Sequence, residues 1–493
     1  MSAPLVSHRT AVALLCLVVG APAGARAQGG VGTVAFQNSA SPAAQAPFLR
    51  GVALLHSFEY AGAARAFREA QQANPAFALA YWGEAMTYNH PVWDQQDRDS
   101  ARAALARLGP TPAARLARTP TPREREYLEA VETLYGEGSK ADRDTAYMRV
   151  MERVARDNPD DIEARLFYAL SLLGLSRGVR DVPTYMRAGA IALELLAAHP
   201  NHPGAAHYVI HAFDDPVHAP IGLAAARAYS RIAPEAAHAQ HMTTHIFLAM
   251  GMWDQVVSQN VIATDLTAWV PGHYTSWLGY GYLQLGRQRD ARQLLERVRG
   301  NLRPGAPAPQ INALAAMRAA YVVNTERWDD EVARWSLDSV FGGRARPPVD
   351  VFVRGLAALK RGDRPAAERE AGELASRTAE AARELRPGAA ASVVAPVIME
   401  KELRALLRLA DGAADDAVAL LREATALEDA MPAEFGPPDV VKPSHELLGE
   451  TLLGLGRSRE AADEFTRALR LAPGRALALR GLARATAALT PNP

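Results

Sequence analysis

The sequence predicts an all-α chain folded as a right-handed α-solenoid of repeated helix pairs. One pattern of small and large apolar residues recurs at fixed offsets in three distant segments, and the stretches between them keep helical spacing broken by Gly- and Pro-rich turns. The chain has 493 residues, a length that ordinarily implies several globular domains. A solenoid meets it differently, by adding neighbours to a core that grows in one direction.

The clearest copy runs from Lys442 to Arg475. Leu448, Gly449 and Leu452 belong to its first helix, Gly456 to the turn, Ala461, Phe465 and Ala468 to its second helix, and Pro473 closes it. Small residues at 449, 461 and 468 let backbones approach, while Leu452 and Phe465 fill the space between helices. Gly51, Leu54, Ala63, Phe67, Ala70 and Pro75 occupy the matching places in an earlier unit, and Gly279, Tyr282, Gly286, Ala291 and Leu295 in a third. This spacing resembles the tetratricopeptide pattern. Between the copies, Ile162 to Leu175 pairs with Pro183 to Ala198, Ala205 to Phe213 with Ile221 to Ile232, and Ala236 to Met250 with Trp253 to Thr264. The stretches Gly109 to Pro122 and Gly342 to Pro348 are the best internal boundaries. The expected organisation is a first repeat block over 48–340, further repeats over 349–490, and a final capping helix from Ala476 to Ala488.

The first 27 residues read as a secretory signal. A basic start at His8 and Arg9, an apolar run from Ala11 to Val19 and the small-residue site Ala25-Arg26-Ala27 follow the required order, and the run is too short to span a membrane. The expectation is a mature chain beginning near Gln28, with 28–47 as a flexible lead-in, located in the periplasm or secreted. The sole cysteine, Cys16, falls in the removed segment, so disulfide and thiolate chemistry are excluded from the mature protein. No later stretch is apolar enough to span a membrane.

Charge narrows the partners. Basic and acidic residues number 54 each, and loss of Arg9 and Arg26 leaves a slight acidic excess. A nucleic-acid partner, which wants a dense basic face, is not expected.

Histidine distribution is the most informative feature. Eight of the 13 histidines lie between His199 and His245, at 199, 202, 207, 211, 218, 238, 241 and 245. His207 with His211, and His241 with His245, have i,i+4 spacing, which puts each pair of imidazoles on one helical face where both can reach one ion. The expected metal centre is therefore His207, His211, His241 and His245, with His238, His56 and Glu84 as further ligands or supports. The competing reading has the imidazoles hydrogen-bonded inside a packed solenoid, with Asp214, Asp215 and Glu235 as partners. His90 and Trp93, like His56 and Glu84, fall on or beside first helices, which line the concave face of such an architecture. Imidazole without thiolate suits copper or zinc, ahead of iron or nickel. Neither His-Glu-x-x-His nor Gly-x-Ser-x-Gly occurs, which disfavours a conventional zinc protease and a serine hydrolase.

Four segments carry a family likeness: Glu59-Tyr60 through Phe67 to Pro75, Ala80-Tyr81-Trp82-Gly83-Glu84-Ala85-Met86, His202-Pro203-Gly204-Ala205-Ala206-His207-Tyr208-Val209-Ile210-His211, and Ala237-His238-Ala239-Gln240-His241-Met242-Thr243-Thr244-His245-Ile246-Phe247. They resemble exported bacterial tetratricopeptide proteins with a histidine-rich central region. The departures are Gln240 and Thr243 to Thr244, which leave the histidines in place. The resemblance implies the fold and puts weight on His56, Glu84, His202, His207, His211, His238, His241 and His245, but it implies no reaction. Three functions stay open: a periplasmic protein binding a transition metal or small ligand, a scaffold holding a protein or peptide in its concave groove, and a metal-dependent enzyme.

Overall fold

The computed structural model describes residues 30–176, 180–303, 305–385, 389–432 and 435–490. The segment expected to be a signal, with Cys16, lies outside the described residues. Among the described residues the fold is all-α apart from one minimal hairpin, in which Asn89–His90 pairs with Gln95–Gln96. The helices follow one another as packed neighbours along the chain, a TPR-like arrangement of helix pairs. Among the described residues no helix is long and apolar enough to cross a membrane.

The repeat logic is steric. Phe67, from the helix Tyr60–Ala73, wedges between Gly51 and Gly83, where an added Cβ would lie 2.8 and 2.3 Å from its ring. Phe465 does the same between Gly449 and Gly481, at 3.0 and 2.3 Å. Ala461, Ala468 and Leu452 are buried around it, as the spacing predicts. The observed helices Ile162–Leu173, Val182–Ala198, Pro203–Phe213, Ala219–Ile232, Ala237–Ala249 and Trp253–Asp265 match the expected pairs to within a few residues. The capping helix is Ala476–Leu489.

Three features go beyond the pattern. Residues 30–41, expected as part of a loose lead-in, lie against the fold: Val31, Val34 and Phe36 are buried, and the Thr33 amide donates to the Asn201 carbonyl at 3.0 Å. The first helix, Pro42–His56, packs directly on Pro203–Phe213, so the early repeats close around a filled interior instead of lining an open groove. At the other end Trp253 Nε1 donates to the Gly474 carbonyl at 2.9 Å, and the buried Arg475 pairs with Glu446 and donates to the Tyr280 hydroxyl at 2.9 Å.

The glycine notches are testable. Gly83→Ala forces a methyl carbon into the Phe67 ring, and overpacking of this kind costs about 1–3 kcal/mol, so the thermal midpoint falls. Gly372, inside Arg364–Glu384 with nothing within 4 Å of an added Cβ, is the control. Gly372→Ala holds or raises the midpoint, because alanine is the better helix former by up to about 1 kcal/mol.

Candidate metal centre

Two helices with no solvent face carry the histidines. Every residue of Pro203–Phe213 and of Ala237–Ala249 is buried. His202 starts the first of them, its Nδ1 accepting from the Ala205 amide, with Pro203 following at the first helical position where its missing N–H costs nothing. Ala205, Ala206, Ala212 and Ala239 keep the surrounding backbones close, and the imidazoles fill the space that remains.

Each ring is oriented through Nδ1. His207 Nδ1 donates to the backbone carbonyl of His56 at 2.7 Å. His211 Nδ1 faces Asp214 Oδ2 at 3.7 Å, and His238 Nδ1 faces the Tyr274 hydroxyl at 3.4 Å. The Nε2 atoms of these three are buried and have no hydrogen-bond partner among the described residues. His241 Nδ1 lies 2.7 Å from Asn260 Oδ1, His245 Nδ1 lies 2.9 Å from Asp214 Oδ2, and the two Nε2 atoms are 3.1 Å apart.

The four histidines expected at one centre fall into two histidine triads, bridged by a third candidate group of His211, Asp214 and His245. His207 and His211 group with His238, while His241 and His245 group with His273, and within each set the nearest ligating atoms lie within 4.8 Å of one another. Asp214 stands between the sets, and Arg180 pairs with its Oδ1. His273 was not singled out in the sequence because it is a lone histidine at the start of His273–Gln284. The usable signal was that successive first helices stack side by side, so a histidine at the start of one can face the histidines of its predecessor.

The other expected residues have different places. His56 is buried with Nδ1 2.7 Å from the Tyr208 hydroxyl and Nε2 2.6 Å from Glu163 Oε2, and it reaches the cluster through its carbonyl. His202 Nε2 meets the other oxygen of Glu163 at 3.0 Å, making a separate His56–Glu163–His202 group that could also hold an ion. Glu84 is not brought to the histidines: its buried carboxylate takes Arg68, Arg107 and Gln71. Asp215 pairs with Arg180 and His218, and Glu235 is exposed.

Aromatic side chains enclose the sets. His245 lies between Trp277 and Phe435, with centroids at 4.5 and 4.8 Å. Phe58 packs on His207 at 4.3 Å and on His238 at 5.5 Å. Its φ of 55° is left-handed, two residues beyond its helix, at the offset where later pairs place Gly251, Gly286, Gly362, Gly412 and Gly456. A side chain there costs about 1–2 kcal/mol, and it delivers the ring to the cluster. An open pocket of about 480 Å³ touches the centre through His238 and His273, with Phe58, Tyr60, Trp93 and Tyr274 among its walls.

Electrostatics favour neutral imidazoles, the form that binds metal. Burial, then the neighbouring histidines, hold His207, His238 and His241 well below the ordinary histidine value. Burial lowers His245 despite the opposing pull of Asp214, and burial followed by His245 lowers His273. For Asp214, burial works against ionisation, but Arg180, together with the nearby His211 and His245, outweighs it and keeps the carboxylate charged.

Comparison with family models and with curated proteins gives no match. Among solved structures, the chain is similar to that of the Cut9–Hcn1 APC/C hetero-tetramer at 11% identity, covering 90% of this chain and 76% of that one, with a TM-score of 0.37. A human IFIT1 dimer with m7Gppp-AAAA has 14% identity, 88% and 91% coverage and a TM-score of 0.38. Yeast Tom70 has 11% identity, 90% and 95% coverage and a TM-score of 0.34. Likenesses at these identities concern architecture and carry nothing about a ligand. The chain is a TPR-like helical repeat protein with a histidine cluster able to coordinate a metal.

Lowered imidazoles fix the sign of the acid response. Below about pH 6.5 the unfolded chain takes up protons that these lowered rings, with His56 and His90, refuse, so stability falls as the pH falls. His445, raised on balance by Glu464 and Asp429, and the carboxyls of Glu402, Glu428, Asp350 and Asp439, raised by burial, work in the opposite sense, and the seven lowered imidazoles outnumber them. Calorimetry of metal-free protein between pH 7.5 and pH 5 therefore shows a steady decline in midpoint. A flat profile would mean that these rings titrate freely in the folded state.

Proposed function

We propose that this chain is an exported, periplasmic or secreted, TPR-like protein that binds a transition metal, copper or zinc ahead of iron or nickel, through its central histidines. The supporting observation is the set of three buried Nε2 atoms, of His207, His211 and His238, each without a partner while the opposite nitrogen of the same ring faces an oxygen. A buried ring nitrogen without a partner costs about 1–3 kcal/mol, and three of them, on residues whose ligating atoms come within 4.8 Å of one another, are hard to reconcile with a purely structural role. An ion would satisfy all three. The Nδ1 contacts to a carbonyl, a carboxylate and a hydroxyl are the supports that ligating histidines normally have.

Asp214 is the nearest ionised group, and the open pocket beside His238 and His273 gives a small molecule access to the ion's neighbourhood. That access keeps a metal-dependent enzyme as the second reading. A protein or peptide partner has a different place available, an open groove of about 750 Å³ lined by Trp277, Tyr280, Asn312, Met317, Asn324 and Pro437 among others.

The test is metal analysis of protein purified without a histidine tag or chelator. Stoichiometric metal is expected, and a His207→Ala/His211→Ala variant with unchanged circular dichroism loses it from the first set. Trace metal at equal levels in both proteins would leave the partner-binding reading. N-terminal sequencing of the exported product checks location, with cleavage after Ala27 expected.

A further inference from the structure

We infer that His241, His245 and His273 hold a second transition-metal ion beside the one at His207, His211 and His238. The inference extends the metal reading above and rests on where two protons must sit.

Asn260 has one possible orientation. The Thr244 hydroxyl donates to the His241 carbonyl at 2.6 Å, so its oxygen is left to accept from Asn260 Nδ2 at 3.2 Å, and the same amide nitrogen donates to the Val256 carbonyl at 3.0 Å. Asn260 Oδ1 is thus an acceptor, and His241 Nδ1, 2.7 Å away, carries its ring's proton. His245 Nδ1 likewise donates to Asp214 Oδ2, a carboxylate that Arg180 keeps ionised. Each neutral imidazole has one proton, and both are spent on Nδ1. The two Nε2 lone pairs therefore face each other at 3.1 Å with nothing between them, in a fully buried setting.

Such a contact is repulsive unless a cation lies between the lone pairs. A metal ion fits: ligands at about 2.0–2.1 Å in tetrahedral geometry are about 3.3 Å apart, close to the observed separation. His273 supplies the third nitrogen, with its ring 4.4 Å from that of His241. Being exposed at the start of its helix, it is free to adjust, and it opens the site toward the pocket. Three neutral nitrogens with amide and carboxylate support suit Cu(II) or Zn(II). The His211 and His245 rings are 5.8 Å apart, so the two ions are neighbours that share the charge of Asp214.

The experiment is loading of the untagged protein with Zn(II) or Cu(II), removal of free ion, and counting of bound ions per chain. Two are expected. His273→Ala, a substitution at an exposed position that leaves the core intact, drops the count to one, with the second site at least tenfold weaker. With Cu(II), the paramagnetic resonance signal of the first equivalent broadens or weakens as the second binds, and this change is missing in His273→Ala. One ion in both proteins overturns the inference and leaves the metal reading standing. No ion in either overturns both, and two ions in both place the second one elsewhere and overturn the assignment.

Discussion

A single hydrogen bond, from His207 Nδ1 to the backbone carbonyl of His56, joins the end of the first helix to the middle of a helix 151 positions later. The last carbonyls of a helix have no partner within it. Here one of them is used to fix an imidazole, so satisfying the helix end and aiming the ring are the same event. The His56 side chain continues the link through Tyr208 and Glu163, and Phe58, held in its left-handed conformation, covers His207 from the same turn. If the first helix did not meet Pro203–Phe213, the histidines would face an open groove and water would satisfy them. Closure is what makes their nitrogens expensive to leave bare.

Charge is handled sparingly inside the closed region. Two of the six clustered imidazoles, His211 and His245, face one carboxylate, Asp214, which is itself paired with Arg180. Glu163 plays the corresponding part between His56 and His202, where burial disfavours its charge but the two histidines together prevail. The interior is therefore polar, with its few charges paired, and it disfavours protonated imidazole.

The sequence was informative wherever meaning is local. Gly449 with Phe465, or Gly51 with Phe67, can be recognised because a notch and its wedge keep fixed offsets along the chain. His207 with His211 and His241 with His245 could be read because i,i+4 spacing fixes a shared face. What could not be read was how those faces meet, since the division into two sets depends on the crossing of separate helices and on Asp214 lying between them. Glu84 looked like a neighbour because first helices stack, yet Arg68 and Arg107 lie nearer and take its charge. His273, one residue at a helix start, had no periodic partner to mark it.

The closing contacts also change what kind of object the repeat array is. In an open array each repeat touches only its neighbours, so stability is a sum of local terms and the ends fray independently. Here residues near 56 need residues near 208, and Gly251 lies against Pro473 and Gly474. Those pairings raise the mean sequence separation of contacts, which slows folding and makes the array one cooperative body. A chain released from its N-terminus must therefore present some 150 residues before the first helix meets Pro203–Phe213. Through that interval the face around His56 that this helix buries stays uncovered.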